Sequence, residues 1–390
     1  MPVINRVAEF ADDVKAWRRD LHEHPELQFD VNRTAGIVAT KLRAFGCDEV
    51  VEGIGRTGVV GVIRGRQTHS GKVIGLRADM DALPILETTG LGYASKTPGK
   101  MHACGHDGHT AMLLGAARYL TETRNFDGTA IVIFQPAEEG GGGGREMVND
   151  GMMERFGIEE VFGMHNAPGL PVGAFAIRKG PIMAAADTFD ILISGRGSHA
   201  AMPHQSVDPV IIGTQIVQAL QTIVARNIDP LDSCVISTTM FRAGDAHNVI
   251  PQTAQLCGTI RTLKADTRIY AAKRIKEIAE GVAAMHGGQA QVEISDGYPV
   301  TVNHDAPTDF AVSVARQVAG KERVMDDIMP LMGAEDFSFM LEARPGAFIF
   351  IGAGNTAGLH HPAYDFNDDI SPIGMSYWAK LVETAMPARA

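Results

Sequence analysis

The chain has 390 residues, 45% hydrophobic and 21% charged, with a net charge of −11 at neutral pH. That length exceeds what one hydrophobic core usually organises, so two domains are expected, and the composition leaves no tract fit only for disorder. The acidity and the lack of clustered Lys and Arg argue against a nucleic-acid partner, while no apolar run reaches membrane-spanning length.

The N-terminus mixes charges where a signal peptide would have an apolar core, which makes a cytoplasmic location the expectation. Residues 5–23 read as an amphipathic helix, with Val7, Phe10, Val14, Trp17 and Leu21 at intervals of three and four, stopped near Pro25. Short apolar runs then alternate with helical stretches: strands at 58–63, 73–76, 129–134, 161–164 and 348–352, and helices at 34–45 and 109–122. This alternation predicts an α/β domain, a mixed and largely parallel sheet sandwiched by helices.

Between 182 and 296 the pattern changes to strand 187–194, helix 208–226, strands 234–242 and 252–261, helix 267–286 and strand 289–295. That order is the split β-α-β-β-α-β unit, a ferredoxin-like α+β domain inserted between 1–181 and 297–390 and flanked by Gly180-Pro181 and Gly297-Tyr298-Pro299. Of the four cysteines, Cys47, Cys234 and Cys257 read as plain buried thiols, and their spacing makes neither a disulfide framework nor a zinc finger.

In open α/β sheets ligands bind beyond the carboxyl ends of the strands. Here those ends lead into Arg77-Ala78-Asp79-Met80-Asp81, Gln135-Pro136-Ala137-Glu138-Glu139, His165 and Leu359-His360-His361, while His102-Ala103-Cys104-Gly105-His106-Asp107-Gly108-His109 precedes a predicted helix. Cys, His and carboxylate are ligand types for zinc or a neighbouring divalent transition metal. Singly, each has a blander reading: a histidine such as His165 is more often just hydrogen-bonded, a lone Cys104 an inert thiol, a pair of glutamates a solvated face. Their recurrence at corresponding strand ends favours metal. Two adjacent carboxylates can also divide work, one on metal and one taking a proton from water. The glycines at 140–144 read either as a flexible loop or as backbone packed close to the site; no phosphate-loop Lys follows them, and no H-E-x-x-H helix or G-x-S-x-G elbow occurs.

With these residues assembled, the chain resembles the aminoacylase and carboxypeptidase superfamily of dimetal hydrolases, and within it the hippurate hydrolase and indole-acetyl-amino-acid hydrolase subgroup. The carriers run through the whole chain: RRDLHEHPEL, RADMDALP, MHACGHDGHTAML, QPAEEGGGG, GMHNAP, GSHAAMPH, HNVIPQTAQLCGTIRT, GAEDFSF and GLHHPAYDFND. The resemblance implies two divalent ions (zinc, manganese, cobalt or nickel) on Cys104, His106, Glu139, His165 and His360, with Glu138 as general base and Asp81 behind the ligands. Asp79 stands where the wider superfamily has a histidine, so Cys104 and His106 are expected to supply a reorganised set. The resemblance further gives His199 the oxyanion and Asn248 and Arg261 the substrate carboxylate, and makes the inserted domain a dimerisation lid whose histidine serves the partner subunit. The implied activity is hydrolysis of N-acyl amino acids by a homodimer or dimer-based oligomer. The rivals are a dipeptidase or carboxypeptidase with the same metals, and a binding protein that kept the fold.

Overall fold

A computed structural model describes residues 3–388. The chain forms two compact units, the larger running to Ile182 and taking in Val302–Met329 and everything from Asp336 on, the smaller comprising Met183–Thr301 and Pro330–Glu335.

The larger unit is built on an eight-stranded sheet in the order Glu49–Ile54, Gly58–Arg64, Thr129–Gln135, Val73–Asp79, Glu160–Pro168, Gly346–Gly354, Phe175–Ala176, Val324–Met325. Its four middle strands are mutually parallel. The hairpin Glu49–Ile54/Gly58–Arg64 adds antiparallel pairs at one side, and Phe175–Ala176 is antiparallel to Gly346–Gly354. Parallel strands covered on both faces should be apolar without alternation. Val73–Asp79 and Thr129–Gln135 are buried at every residue after the first, while the edge strand Glu49–Ile54 is mostly exposed or half-buried. The short edge strands lack a run long enough to be read from sequence, and Glu49–Ile54 carries two glutamates that mask it.

The helix His106–Thr123 is buried almost all round, packed by Ala11–Glu23, Asn32–Phe45 and Ser371–Ala385 and lying against Val73–Asp79. It starts three residues earlier than the expected 109, because Gly105 takes a left-handed φ of 93° that turns the chain straight into the first helical turn. His106 therefore sits on the helix. The expected helix 5–23 is likewise two helices, Asn5–Glu9 and Ala11–Glu23, since Phe10 leaves helical dihedrals. Its carbonyl still accepts from Val14 N, and its buried ring carries the guanidinium groups of Arg6 and Arg118, so the apolar period survives the break.

The smaller unit carries the antiparallel sheet Cys234–Ala243, Thr253–Thr262, Ala185–Ser194, Gln289–Tyr298. Helices Pro209–Thr222 and Ala265–Met285 cover one face, closing a core of Phe189, Ile191, Ile216, Leu220, Leu256 and Ile275. Ala185–Ser194 alternates buried with less buried residues, as a sheet with one covered face requires. Asp208 caps Pro209–Thr222 by accepting from Val210 N at 2.8 Å, with Pro209 in the first turn. Residues 330–335 join this unit through Ala184 N, which donates to the carbonyls of Leu331 and Gly333.

Two helical glycines should respond oppositely to alanine. A Cβ on Gly108 would stand 2.2 Å from the buried Phe366 ring, whereas one on Gly281 meets nothing within 4 Å. Gly108→Ala should lose about 1–3 kcal/mol through overpacking, and Gly281→Ala should gain about 0.5–1 kcal/mol from helix propensity. Urea midpoints of the two variants moving in the same direction would contradict this packing.

Candidate metal centre

The parallel register aligns Asp79 with Gln135 and Arg77 with both Ile133 and Gly163, so the strands release their next residues at one edge of the sheet. After Gln135 the chain turns through Ala137, which holds a left-handed φ of 54°. Helix Gly143–Asn149 then folds back so closely that a Cβ on Gly143 would lie 1.7 Å from the Pro136 carbonyl oxygen. Of the two readings of the glycine tract, close backbone packing is the one found.

Four groups of potential ligand atoms gather there, each within 4.8 Å: Cys104, His106 and His165; Cys104, Glu139 and His360; His106, Glu138 and Glu139; and Asp79, His106 and His109. Shared members link them into one centre containing Cys104, His106, Glu139, His165 and His360, with Glu138 beside it. Cys104 Sγ is 3.3 Å from His165 Nε2, and His360 Nε2 is 3.2 Å from Glu139 Oε1. His361 joins none of these groups; its Nδ1 accepts from Ala363 N at 3.0 Å.

The donors suit a cation. Both ring nitrogens of His106 are buried without a well-formed hydrogen bond, the nearest carboxylate oxygens lying 3.5 Å or more away, a state that native interiors avoid unless something else satisfies the atoms. Burial pushes the Cys104 thiol upward. His360 is pushed up to about 10 by Cys104 and then Glu139. Burial holds His165 well below the usual histidine range, neutral as a ligand must be.

Asp81 lies beside this cluster. Its two carboxylate oxygens accept from the backbone N–H groups of Glu138 and Glu139 at 2.9 and 3.1 Å, and Oδ1 is 3.5 Å from His106 Nδ1. Asp79 is fully buried: its Oδ1 accepts from His109 Nδ1 at 2.7 Å and its Oδ2 from Arg77 at 2.7 Å. His109 Nε2 in turn accepts from Asn166 N at 3.0 Å, which keeps that nitrogen from serving as a ligand. Arg77, His109, Asp336 and Asn166 were not singled out from sequence. The i, i+3 spacing of His106 and His109 on one helix was the available signal.

In the smaller unit, exposed His199 lies on the short strand Ser198–His199 paired with Val249–Ile250, and Ala200 N donates to the Asn248 carbonyl, so His199 and Asn248 are neighbours. Arg261 is elsewhere. It sits near the far end of Thr253–Thr262, opposite Ala186, while that strand's start pairs with Ser194.

The family model described as peptidase family M20/M25/M40 matches residues 75–384. The chain is similar to a hippurate hydrolase of Campylobacter jejuni, 42% identical with 98% of both chains covered. It is also similar to thermostable carboxypeptidase 1 of Saccharolobus solfataricus, 42% identical over 90% of this chain and 88% of that one. A solved Bacillus subtilis structure, a dinuclear metal binding peptidase of the M20 family, superposes with a TM-score of 0.83 at 36% identity, covering 97% of this chain and 99% of the other.

Next to His106, Asp107 anchors a second buried network. Its Oδ2 accepts from His22 Nδ1 at 2.9 Å, His22 Nε2 is 3.4 Å from Glu87, and Arg18, His102 and the ring of Tyr93 complete the surroundings. Burial works against a charged His22, yet Asp107 and Glu87 prevail and lift it to about 9. A raised folded value means that the stabilisation is complete below the ordinary histidine value of about 6.5 and is lost as pH climbs to about 9. Unfolding free energy in urea should therefore fall between pH 6 and 9, by up to about 3 kcal/mol for such a shift, and His22→Gln should flatten that slope. An equal slope in the variant would mean that His22 is not the titrating group.

Proposed function

The chain belongs to peptidase family M20/M25/M40, and on that premise we propose how its residues divide the work of hydrolysis. It is a metal-dependent hydrolase acting on the amide bond of N-acyl amino acids. The observation that carries the assignment of residues is the linked cluster of Cys104, His106, Glu139, His165 and His360, in which the buried ring nitrogens of His106 make no well-formed hydrogen bond, beside the additional carboxylate of Glu138.

These five residues would hold two divalent cations. When bound, the cations supply Lewis acidity to the amide carbonyl and lower the cost of deprotonating water. Cys104 favours zinc among the candidates, with manganese, cobalt and nickel as alternatives. Glu138 takes the proton from the attacking water and delivers it to the leaving amine, so no covalent enzyme intermediate is needed. Asp81 fixes Glu138 and Glu139 through their backbone amides, so the base and the neighbouring ligand are positioned together. His199 donates to the oxygen on which charge develops, and Arg261 with Asn248 grips the substrate carboxylate, for which a guanidinium offers a planar fork.

His199 with its neighbour Asn248 would serve one subunit's site and Arg261 of the same chain the other's, so the substrate carboxylate would meet Asn248 and Arg261 from different subunits. Thr253 pairs with Ser194, close in sequence to His199, whereas Arg261 is eight residues further along the strand. At roughly 3.3 Å per residue that is about 26 Å, more than an N-acyl amino acid spans. A homodimer in which the smaller unit lends His199 to the partner's site resolves the separation. The free thiols, Cys104 above all, suit a reducing compartment, hence the cytoplasm.

A second reading, carboxypeptidase action on small peptides with the same centre, draws on the similarity to the Saccharolobus solfataricus protein. Benzoate released from hippurate, compared with amino acids released from dipeptides, decides between them.

Three outcomes are expected. Metal removal by chelator should abolish turnover and a divalent transition metal should restore it, while Glu138→Gln should keep its metal by elemental analysis and lose about 10²–10⁴ in kcat. Near-normal kcat in Glu138→Gln would show that the proton goes elsewhere. In addition, His199→Ala and Glu138→Ala, each nearly inactive alone, should regain activity when mixed under subunit exchange, since one heterodimer site has both residues intact. If labelling shows exchange and activity stays absent, His199 does not act in the partner's site.

A further inference from the structure

Asn166 follows His165 on Glu160–Pro168 and is fully buried. Each of its polar groups meets a different part of the centre. Its carbonyl accepts from His165 Nδ1 at 2.7 Å, and its backbone N–H donates to His109 Nε2 at 3.0 Å. In the side chain, Nδ2 donates to the Cys104 carbonyl at 2.7 Å, and Oδ1 accepts from the hydroxyl of fully buried Tyr364 at 2.7 Å. Tyr364 lies four residues beyond His360, so one residue joins the Cys104 turn, the His165 ring and the His360 loop.

The directions of these bonds matter. His165 Nδ1 donates to a carbonyl, so Nε2 keeps its lone pair, and that nitrogen faces Cys104 Sγ. The Asn166 amide cannot turn over, because its oxygen would then face the Cys104 carbonyl oxygen, two acceptors with no proton between them. The turn itself is moulded to this arrangement. A Cβ on Gly105 would lie 2.3 Å from Asn166 Nδ2 and 2.7 Å from the Tyr364 hydroxyl, and Gly105 also holds a φ of +93°. Only glycine can join Cys104 to His106 against that wall.

We propose that Asn166 and Tyr364 are positioning residues that hold the Cys104-Gly105-His106 turn and the His165 ring in ligating geometry before a cation arrives, and so set the affinity and the thiolate character of the centre. The inference rests on the metal-centre reading above. Neither side chain is itself a ligand or touches substrate; each acts through the residues it orients. Partners of this kind typically account for 10–100-fold in metal affinity.

The test is cobalt(II) titration of the metal-free protein, read by the sulfur-to-cobalt charge-transfer absorption and by competition with a chelator. Wild type should show an absorption that Cys104→Ser abolishes. Tyr364→Phe removes one hydroxyl, and Asn166→Asp keeps the shape but replaces the donor to the Cys104 carbonyl with an acceptor. Both should bind cobalt about 10–100-fold more weakly with a diminished or shifted absorption, while the urea midpoint of metal-free Tyr364→Phe stays near wild type. Should Asn166→Asp fail to fold, Tyr364→Phe decides alone. Unchanged affinity and absorption in Tyr364→Phe overturn the positioning role, including when only its stability has dropped. No Cys104-dependent absorption in wild type overturns the metal-centre reading and the inference with it.

Discussion

A guanidinium buried inside a parallel sheet must be paired, and the pairing of Arg77 organises this site. Its Nε donates to Gln135 at 2.9 Å, Nη1 to Asp79 at 2.7 Å and Nη2 to Asp336 at 2.9 Å. Removing one partner of such a buried pair generally costs 3–5 kcal/mol, because the other charge is left without compensation. The three partners come from two adjacent strand ends and from a segment some 260 residues away, so satisfying one cation brings all three to the same edge. Asp336 extends the effect by accepting from Gly144 N at 2.8 Å, while its own N–H points to Glu138 Oε1 at 3.4 Å. Burial nevertheless pushes the Asp336 carboxyl up, to about 6.

From Asp79 a chain of hydrogen bonds runs outward to the Cys104–His165 cluster. Asp79 fixes the tautomer of His109, His109 receives Asn166, and Asn166 orients both His165 and the Cys104 turn. On the other side Asp81 takes both backbone amides of Glu138-Glu139. The residues proposed as ligands and base are thus held by groups that are themselves held, which is how a site keeps its geometry before its ions and substrate arrive. Asp79 is, in this arrangement, an anchor for His109 and Arg77.

That Glu138, Glu139 and His165 come together was legible in the sequence because sheet topology places them: residues following apolar strands must emerge at one edge, while Cys104 and His106 reach the same edge from the turn that opens the helix His106–Thr123. The ferredoxin-like unit was legible for a similar reason, since its strands alternate and its helices keep a clear period. What was not legible depends on long-range pairing. Nothing local marks Arg77 as the partner of Asp336, or His22 as the partner of Asp107 across 85 residues. Asn166 looks like one polar residue after a histidine until the fold sets it against Cys104 and Tyr364. Local steric choices were also hidden: the break at Phe10 leaves the apolar period intact, and the early helix start at His106 follows from the dihedral of Gly105.

Backbone strain completes the account of how so many groups converge. Five described residues other than glycine have positive φ, and three of them serve this centre: Gln28 at 48°, Ala137 at 54° and His360 at 62°. Left-handed backbone in such residues costs of order 1–3 kcal/mol each and persists only where surrounding contacts over-determine it. Those contacts are present. Ala137 N donates to the Gln28 carbonyl at 3.2 Å, so two of the strained residues hold each other immediately before Glu138-Glu139, and His360 N donates to the Ala103 carbonyl at 2.7 Å, next to Cys104. His360 has the most exposed side chain of the cluster, and that backbone bond ties its loop directly to the turn bearing the thiol. The strain and the ligands coincide because a regular strand or helix cannot aim two adjacent glutamates, or a loop histidine, into one cluster; departing from regular backbone is what brings Glu139 and His360 together.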